Sequence, residues 1–113
     1  MVKREIKFRI WAGDALIYLI KQDLHTYIKR ENILMQYTGL KDKNGKEIWE
    51  GDLIPSRDKK GETICLFEVI FYQGGFRLID TNKKREIIPI THINQLSFDL
   101  EVIGNIYENK ELL

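Results

Sequence analysis

Few side chains in this sequence have the type and spacing that catalysis or metal binding requires. His25, His92 and Cys65 stand far apart, with no C-x-x-C or H-x-x-x-H spacing around them. Cys65 lies in an apolar run beside Phe67, where a cysteine usually acts as a small hydrophobic residue rather than as a nucleophile. The sequence therefore predicts neither a metal site nor a catalytic pairing of Cys65 with His92.

Two carboxylates, Glu50 and Asp52, flank Gly51 and could perform acid-base chemistry. The same three residues make an ordinary turn, in which an Asp side chain accepts hydrogen bonds from nearby backbone N–H groups, and we favour the turn. Gly74-Gly75 is followed neither by Lys-Ser nor by a helical pattern, so it predicts a hairpin rather than a phosphate-binding loop. We expect a protein that is not an enzyme and uses no cofactor.

Basic residues in two connecting segments are the candidates for binding nucleic acid. They are Arg57, Lys59, Lys60, Lys83, Lys84 and Arg85. Tyr72 or Phe76 could stack on bases beside them. Because the net charge is only +1, neutralising phosphates is not the expected main role of the chain. Trp11 and Trp49 are expected to pack in the core or at its edge rather than to bind a ligand.

Length and composition predict one small globular domain over residues 1–113. The hydrophobic fraction is 43% and the charged fraction 31%, a balance typical of folded proteins. The most apolar run, Ile64 to Tyr72, is interrupted by Glu68 and is shorter than the roughly 20 residues of a membrane-spanning helix. The charged N-terminus is not followed by an apolar signal region, and a single cysteine suits a reducing compartment. We expect a cytoplasmic protein that does not bind membranes.

Alternating and apolar segments separated by glycine-containing turns predict a mainly β fold. Strands are expected at residues 6–11, 33–37, 53–54, 63–72, 76–80, 86–90 and 100–107. Residues 63–72 are apolar on both faces and predict a central strand, whereas Pro55 would confine its strand to an edge or end it early. The pattern is typical of a small antiparallel barrel-like or sandwich domain with one or two short helical turns, near residues 91–96 and 109–113.

Turn residues refine this prediction and leave one segment ambiguous. Asn44-Gly45 suits the positive φ angles of a type I′ turn, and residues 73–75 predict a tight hairpin. Residues 56–62 are expected to form a solvated loop. Residues 15–32 fit either a strand near 16–20 followed by an irregular or helical stretch, or a helix capped by Asp14, and we favour the strand.

Three segments of the chain, residues 4–13, 36–54 and 101–113, resemble the YopX family of phage and prophage proteins. The motifs that carry the resemblance are Tyr37-Thr38-Gly39-Leu40, Asp42-Lys43-Asn44-Gly45, Glu50-Gly51-Asp52 and Ile103-Gly104-Asn105-Ile106-Tyr107-Glu108. The resemblance implies a compact, mostly β fold, an origin in a bacteriophage or prophage, and no assigned molecular function. It implies no catalytic residues.

These observations favour a non-catalytic phage accessory protein that binds another macromolecule, most simply a phage or host protein in the bacterial cytoplasm. The alternative is a nucleic-acid-binding module that uses the loop lysines and arginines named above. The apolar second face of residues 64–72 and the C-terminal Leu112-Leu113 also allow a homo-oligomer.

Overall fold

The described residues are 5–19, 29–82, 87–90 and 100–113 of a computed structural model. Over these residues the chain is mostly β, which confirms the predicted class. The strands are β1 (Phe8–Trp11), β2 (Leu16–Tyr18), β3 (Ile33–Lys41), β4 (Glu47–Trp49), β5 (Asp52–Arg57), β6 (Thr63–Tyr72), β7 (Gly75–Asp80), β8 (Ile87–Pro89) and β9 (Gly104–Asn105). A 3₁₀ turn covers Lys110–Leu112.

The strands form two antiparallel sheets. The first has the order β2-β1-β3-β4, and the second has the order β8-β7-β6-β5-β9. One core cluster joins Ile48 of the first sheet to the second sheet and to two residues outside the strands, and its buried members are Ile48, Ile54, Phe67, Val69, Leu78, Ile90 and Val102. Among the described residues, no helix is long and apolar enough to cross a membrane.

The first hairpin follows from the alternation of apolar and charged residues at the start of the chain. Ile10 is fully buried and pairs with Ile17 of β2, while Gly13 in the turn has a φ of +93° that favours glycine. The prediction of a strand rather than a helix after Gly13 is therefore confirmed over Leu16–Tyr18. Residues 20–28 of the ambiguous segment lie outside the described residues, and residues 29–32 form an irregular turn.

Two turns share one sequence pattern, Asp-Lys-x-Gly, and one set of hydrogen bonds. Asp42 Oδ1 accepts the N–H groups of Asn44 and Lys46, each at 2.9 Å. Asp58 Oδ1 accepts those of Lys60 and Glu62 at the same distance. Each Asp carbonyl also accepts the N–H of the glycine three residues on, at 3.0 Å.

The predicted type I′ turn at Asn44-Gly45 is wrong, because only the glycine of the pair has a positive φ, +82°. The aspartate bonds stabilise residues 43 and 44 with negative φ angles and leave the left-handed position to Gly45. The predicted loop over residues 56–62 is also too long, since Ser56 and Arg57 belong to β5.

Pro55 does not end its strand. β5 continues to Arg57, and Pro55 is the partner of Leu66 in β6. On its outer side β5 pairs with β9 at Asp52 and Leu53. Pro55 lies beyond that pairing, where the missing N–H removes no ladder hydrogen bond. The prediction of an edge position is right for this part of the strand, and the prediction of an early end is wrong.

β6 and β7 match the predicted central strand and hairpin. β6 spans Thr63–Tyr72 between β5 and β7, as predicted. In the turn, Gln73 and Gly74 have φ angles of +50° and +79°, the two positive values of a type I′ turn.

The predicted strand over residues 100–107 shrinks to Gly104–Asn105. The Asn105 side chain accepts the N–H groups of Tyr107 at 3.0 Å and Glu108 at 2.8 Å, which bends the chain into a turn. A helical turn follows Asn109 as predicted, but Asn109 Oδ1 accepts the Asn105 N–H at 3.0 Å instead of capping that turn. The helical turn predicted at residues 91–96 lies outside the described residues.

Candidate functional site

A buried ion pair joins the two sheets. Arg9 of β1 is 3% exposed, and its Nη2 donates to Asp52 Oδ1 at 2.8 Å and to the Glu50 carbonyl at 3.1 Å. Asp52 Oδ2 accepts the Trp49 N–H at 2.8 Å. Burial raises the pKa of Asp52, and the positive charge of Arg9 opposes that rise. Glu50, Gly51 and Asp52 thus form the turn that the sequence favoured.

Gly51 is the point at which the chain passes from the first sheet to the second. Its φ is +86°, and an added Cβ would lie 3.1 Å from Met35 Sδ. Its N–H donates to the Val69 carbonyl of β6 at 2.8 Å. The turn therefore brings β3 and β6 to either side of residues 50 and 51.

A groove of about 190 Å³ lies between β3 and β6 beside this turn. We call it the Glu50 groove. Its lining residues are Ile33, Leu34, Met35, Glu50, Gly51, Glu68, Val69, Ile70, Phe71, Ile106 and Tyr107. They come from four separate parts of the sequence.

The rim of the Glu50 groove exposes three large apolar side chains. Ile33 is 42% exposed, Leu34 44% and Phe71 51%. Single exposed apolar residues are common on protein surfaces, but several around one concavity are typical of interaction sites. The Phe71 ring also packs edge-on against Phe76, with centroids 5.2 Å apart.

The floor of the Glu50 groove is acidic. Glu50 is half-buried and accepts the Gln36 N–H at 2.8 Å through Oε1, and burial raises the pKa of its carboxyl. Burial also raises the pKa of Tyr107, and the carboxylates of Glu68 and Glu50 raise it further. Glu50, Glu68 and Tyr107 all line the groove. The ring of Tyr107 is held by Trp11, stacked at 5.6 Å.

A larger cavity of about 370 Å³, the Arg9 cleft, is lined by both members of the ion pair. The guanidinium of Arg9 lies against Trp49, with its Cζ 5.3 Å from the ring centroid, and its buried Nε has no hydrogen-bond partner among the described residues. Other polar groups of the cleft bond to each other, as Asn105 Nδ2 does to Glu108 Oε1 at 2.9 Å. The cleft carries charges of both signs, Lys46 and Glu47 among them, so it does not favour one ligand charge.

The residues predicted for nucleic-acid binding are only partly described. Lys59 and Lys60 are exposed at the turn between β5 and β6, and Arg57 Nη2 binds Glu101 Oε1 at 3.2 Å. Residues 83–85 lie outside the described residues. The proposed stacking partners Tyr72 and Phe76 lie at the far end of the β6–β7 hairpin. The length of β6, at the rise per residue of an extended strand, separates them from the lysines by about 30 Å.

The cysteine and the two tryptophans that the sequence analysis considered pack against other side chains. Cys65 is partly buried against the core, Trp49 is buried, and Trp11 stacks on Tyr107. His25 and His92 lie outside the described residues. Within the described part of the chain, no group of three or more His, Cys, Asp or Glu side chains could hold a metal ion.

Comparison with known proteins gives the family. The family model described as YopX protein matches residues 11–113. The chain belongs to the YopX family. The SPbeta prophage-derived uncharacterized protein YopX of Bacillus subtilis (strain 168) is 25% identical over 129 residues, covering 94% of this chain and 94% of that protein. A prophage-derived relative agrees with the prophage origin that the resemblance implies.

Solved structures of two proteins share the YopX fold seen here. Protein EF1440 from Enterococcus faecalis has a TM-score of 0.68 and 24% identity, over 98% of this chain and 99% of that one. Protein yopX from Bacillus subtilis has a TM-score of 0.61 and 24% identity, over 95% and 97%. At this identity the two structures bear on the fold alone.

Two residues of the YopX motifs, Thr38 and Asp42, bond separate segments of the chain to each other. Asp42 bonds its own turn through Oδ1, and its Oδ2 accepts the Val102 N–H at 2.9 Å, 60 residues away. Burial opposes ionisation of Asp42, but the backbone N–H groups of Val102, Lys46 and Asn44 outweigh it and lower the pKa. Thr38 Oγ1 donates to the Ile48 carbonyl at 2.7 Å between β3 and β4.

The sequence does not reveal the Glu50 groove. It offers Glu50 for acid-base chemistry with Asp52 or for a turn, of which the turn is favoured, and it indicates no site role for Leu34, Glu68 or Tyr107. One signal was available, because Glu68 is the single charge in the apolar run from Ile64 to Tyr72. A charge retained within such a run indicates either a partner inside the fold or a site at its surface.

Proposed function

We propose that this YopX-family protein is a non-catalytic prophage accessory protein that binds another protein through the Glu50 groove. The observation that carries the proposal is the combination of an exposed apolar rim with an acidic floor. A complementary partner has apolar side chains for the rim and a lysine or arginine for the floor. The occupant we propose is such a segment of a phage or host protein in the bacterial cytoplasm.

The rim can supply a useful part of the binding energy. Burying a large apolar side chain completely contributes about 1.5–3 kcal/mol, and Ile33, Leu34 and Phe71 each have roughly half of that still to gain. Together they could contribute about 3 kcal/mol, or roughly a hundredfold in affinity. This is a modest contribution, suited to recognition of a short segment.

A display library of random 12-residue peptides tests the proposal on the intact protein. The variant pair is Leu34→Ser with Phe71→Ser, and the matched control is Ile64→Ser, which removes an apolar side chain that is 66% exposed at the other end of β6. We expect the wild type and the control to enrich peptides with apolar and basic residues. Selection of the same peptides by the double variant, or of none by the wild type, would refute the groove as a binding site.

A second candidate function is nucleic-acid binding by the turn lysines. One observation favours it: Lys43 Nζ lies 3.5 Å from Glu101, which also binds Arg57, so a lysine of the first Asp-Lys-x-Gly turn and the arginine that precedes the second meet at one carboxylate. Glu101 lowers the net charge of that surface. The candidate predicts salt-dependent binding of single-stranded DNA that is lost in Lys59→Glu with Lys60→Glu, and an unshifted oligonucleotide at low salt rules it out.

A further inference from the structure

We propose that the segment in the Glu50 groove binds as an added β-strand, hydrogen-bonded to main-chain edges that β3 and β6 leave open, with a basic side chain over the acidic floor. This inference rests on the proposed function and specifies the conformation and charge of the partner. Three features carry it: the direction of the Leu34 main chain, the direction of the Phe71 main chain, and the carboxylates between them.

The main-chain N–H and C=O groups of Leu34 point into the groove. In β3, Tyr37 N–H donates to the Lys7 carbonyl at 2.9 Å, towards β1. The main-chain groups of Gln36, one residue earlier, point away from β1, because the Gln36 carbonyl accepts the Glu50 N–H at 3.0 Å. Main-chain groups alternate in direction along a strand, so Leu34 also points away from β1. β4 pairs with β3 at Tyr37 and Lys41 and does not reach it.

The main-chain N–H and C=O groups of Phe71 are also left without a strand partner. The main-chain groups of Leu66 point towards β7, because the Leu66 carbonyl accepts the Thr81 N–H at 2.9 Å. Because main-chain groups alternate in direction along a strand, those of the odd-numbered residues of β6 point towards β5. The Val69 carbonyl accepts the Gly51 N–H on that side. β5 begins at Asp52, and its pairing with β6 ends at Leu53 with Glu68. Within the described residues, no strand pairs with Phe71 on this side.

Both open edges border one groove. Leu34 and Phe71 are lining residues on its two walls. An open strand edge is a template for a further strand, and an extended peptide that joins it gains main-chain hydrogen bonds while alternate side chains enter pockets. With a repeat of two, every second side chain of such a peptide points to the floor, where Glu50 and Glu68 favour a lysine or arginine.

Hydrogen exchange of single amides tests the open edges before any partner is known. Met35 and Ile70 are matched controls, because their N–H groups point into the ladders with β1 and β7. In the free protein, we expect the amides of Leu34 and Phe71 to exchange at least roughly tenfold faster than those of Met35 and Ile70. Equal protection of all four amides would contradict the proposed open edges.

The probe for strand addition is the most enriched peptide from the library, synthesised with and without backbone N-methyl groups. N-methylation on one set of alternate residues should weaken binding at least about tenfold, since it removes main-chain donors, while the opposite set is the control. Leu34 or Phe71 should become protected from exchange on binding. Replacing the peptide's basic residue by norleucine should weaken binding about fivefold at neutral pH.

The outcomes separate the two proposals. A library that yields no groove-dependent peptide refutes the protein-binding function itself. A groove-dependent peptide that tolerates N-methylation at every position and protects neither amide refutes strand addition and leaves the binding function standing. A peptide that binds as a helix gives this second outcome, because a helix satisfies its own main-chain groups.

Discussion

Replacing Arg9 by methionine tests whether the buried ion pair holds the two sheets together. The substitution keeps a long side chain against Trp49 but leaves Asp52, 2% exposed, without its cation. Removing one partner of a buried pair typically costs 3–5 kcal/mol, and we expect about 4 kcal/mol at pH 7. For a domain of this size the loss is a large part of the whole free energy of unfolding.

The pH dependence of this loss distinguishes an electrostatic cause from a packing cause. In the wild type, burial already raises the folded-state pKa of Asp52 above the usual value of an aspartate. A carboxyl whose pKa is raised by folding lowers stability as pH rises from its unfolded pKa to its folded pKa. Arg9→Met removes the charge that restrains the rise. The variant should therefore lose less stability at pH 4, where Asp52 takes up a proton, than at pH 7.

Urea unfolding of four proteins measures the effect: wild type, Arg9→Met, Asp52→Asn and the double variant, each at pH 4 and pH 7. Asparagine keeps an acceptor for the Trp49 N–H, which donates to Asp52 at 2.8 Å. The double variant removes both charges and should be about 2 kcal/mol more stable than the sum of the single losses implies. Equal losses for Arg9→Met at the two pH values, or additive losses in the cycle, would refute the electrostatic account.

Two further substitutions test residues of the family motifs. Asp42→Ala should cost about 2–4 kcal/mol in urea unfolding, because it removes the acceptor for three backbone N–H groups including that of Val102. Asp58→Ala, in the matching exposed turn, should cost clearly less, and equal costs would refute the role of the Val102 bond. Gly104→Ala should lower the thermal midpoint by several degrees, since its Cβ would lie 2.5 Å from Asn109 Oδ1. Gly75→Ala meets no atom within 4 Å and is the control.

Local sequence predicted the elements that local interactions determine. The hairpin of β6 and β7 needed only two alternating runs and a turn whose two residues accept positive φ angles. The Asp42 turn was placed correctly but given the wrong type, because Asn-Gly is a strong type I′ signal and the competing bonds come from an aspartate two residues earlier. Residues 100–107 alternate like a strand, yet the side chain of Asn105 bends them into a turn.

The Glu50 groove could not be predicted, for a different physical reason. A repeat of two shows which side chains share a face of one strand, but it does not show which strands become neighbours. Leu34, Phe71 and Tyr107 meet because Gly51 leads the chain from one sheet to the other and Arg9 and Asp52 fix that crossing. The same limit applies to the open edges, since an unpaired main chain is a property of strand order.

The bond from Asp42 to Val102 also constrains when the protein can finish folding. During synthesis, the Asp42 turn and the strands on either side of it leave the ribosome some sixty residues before Val102, whose N–H donates to Asp42 Oδ2. Until then Asp42 carries a solvated charge at the end of an incomplete core, and the outer side of β5 has no partner. The last segment therefore acts as a late closing step, and a nascent chain halted before it should resist proteases poorly even though eight of its nine described strands are already made.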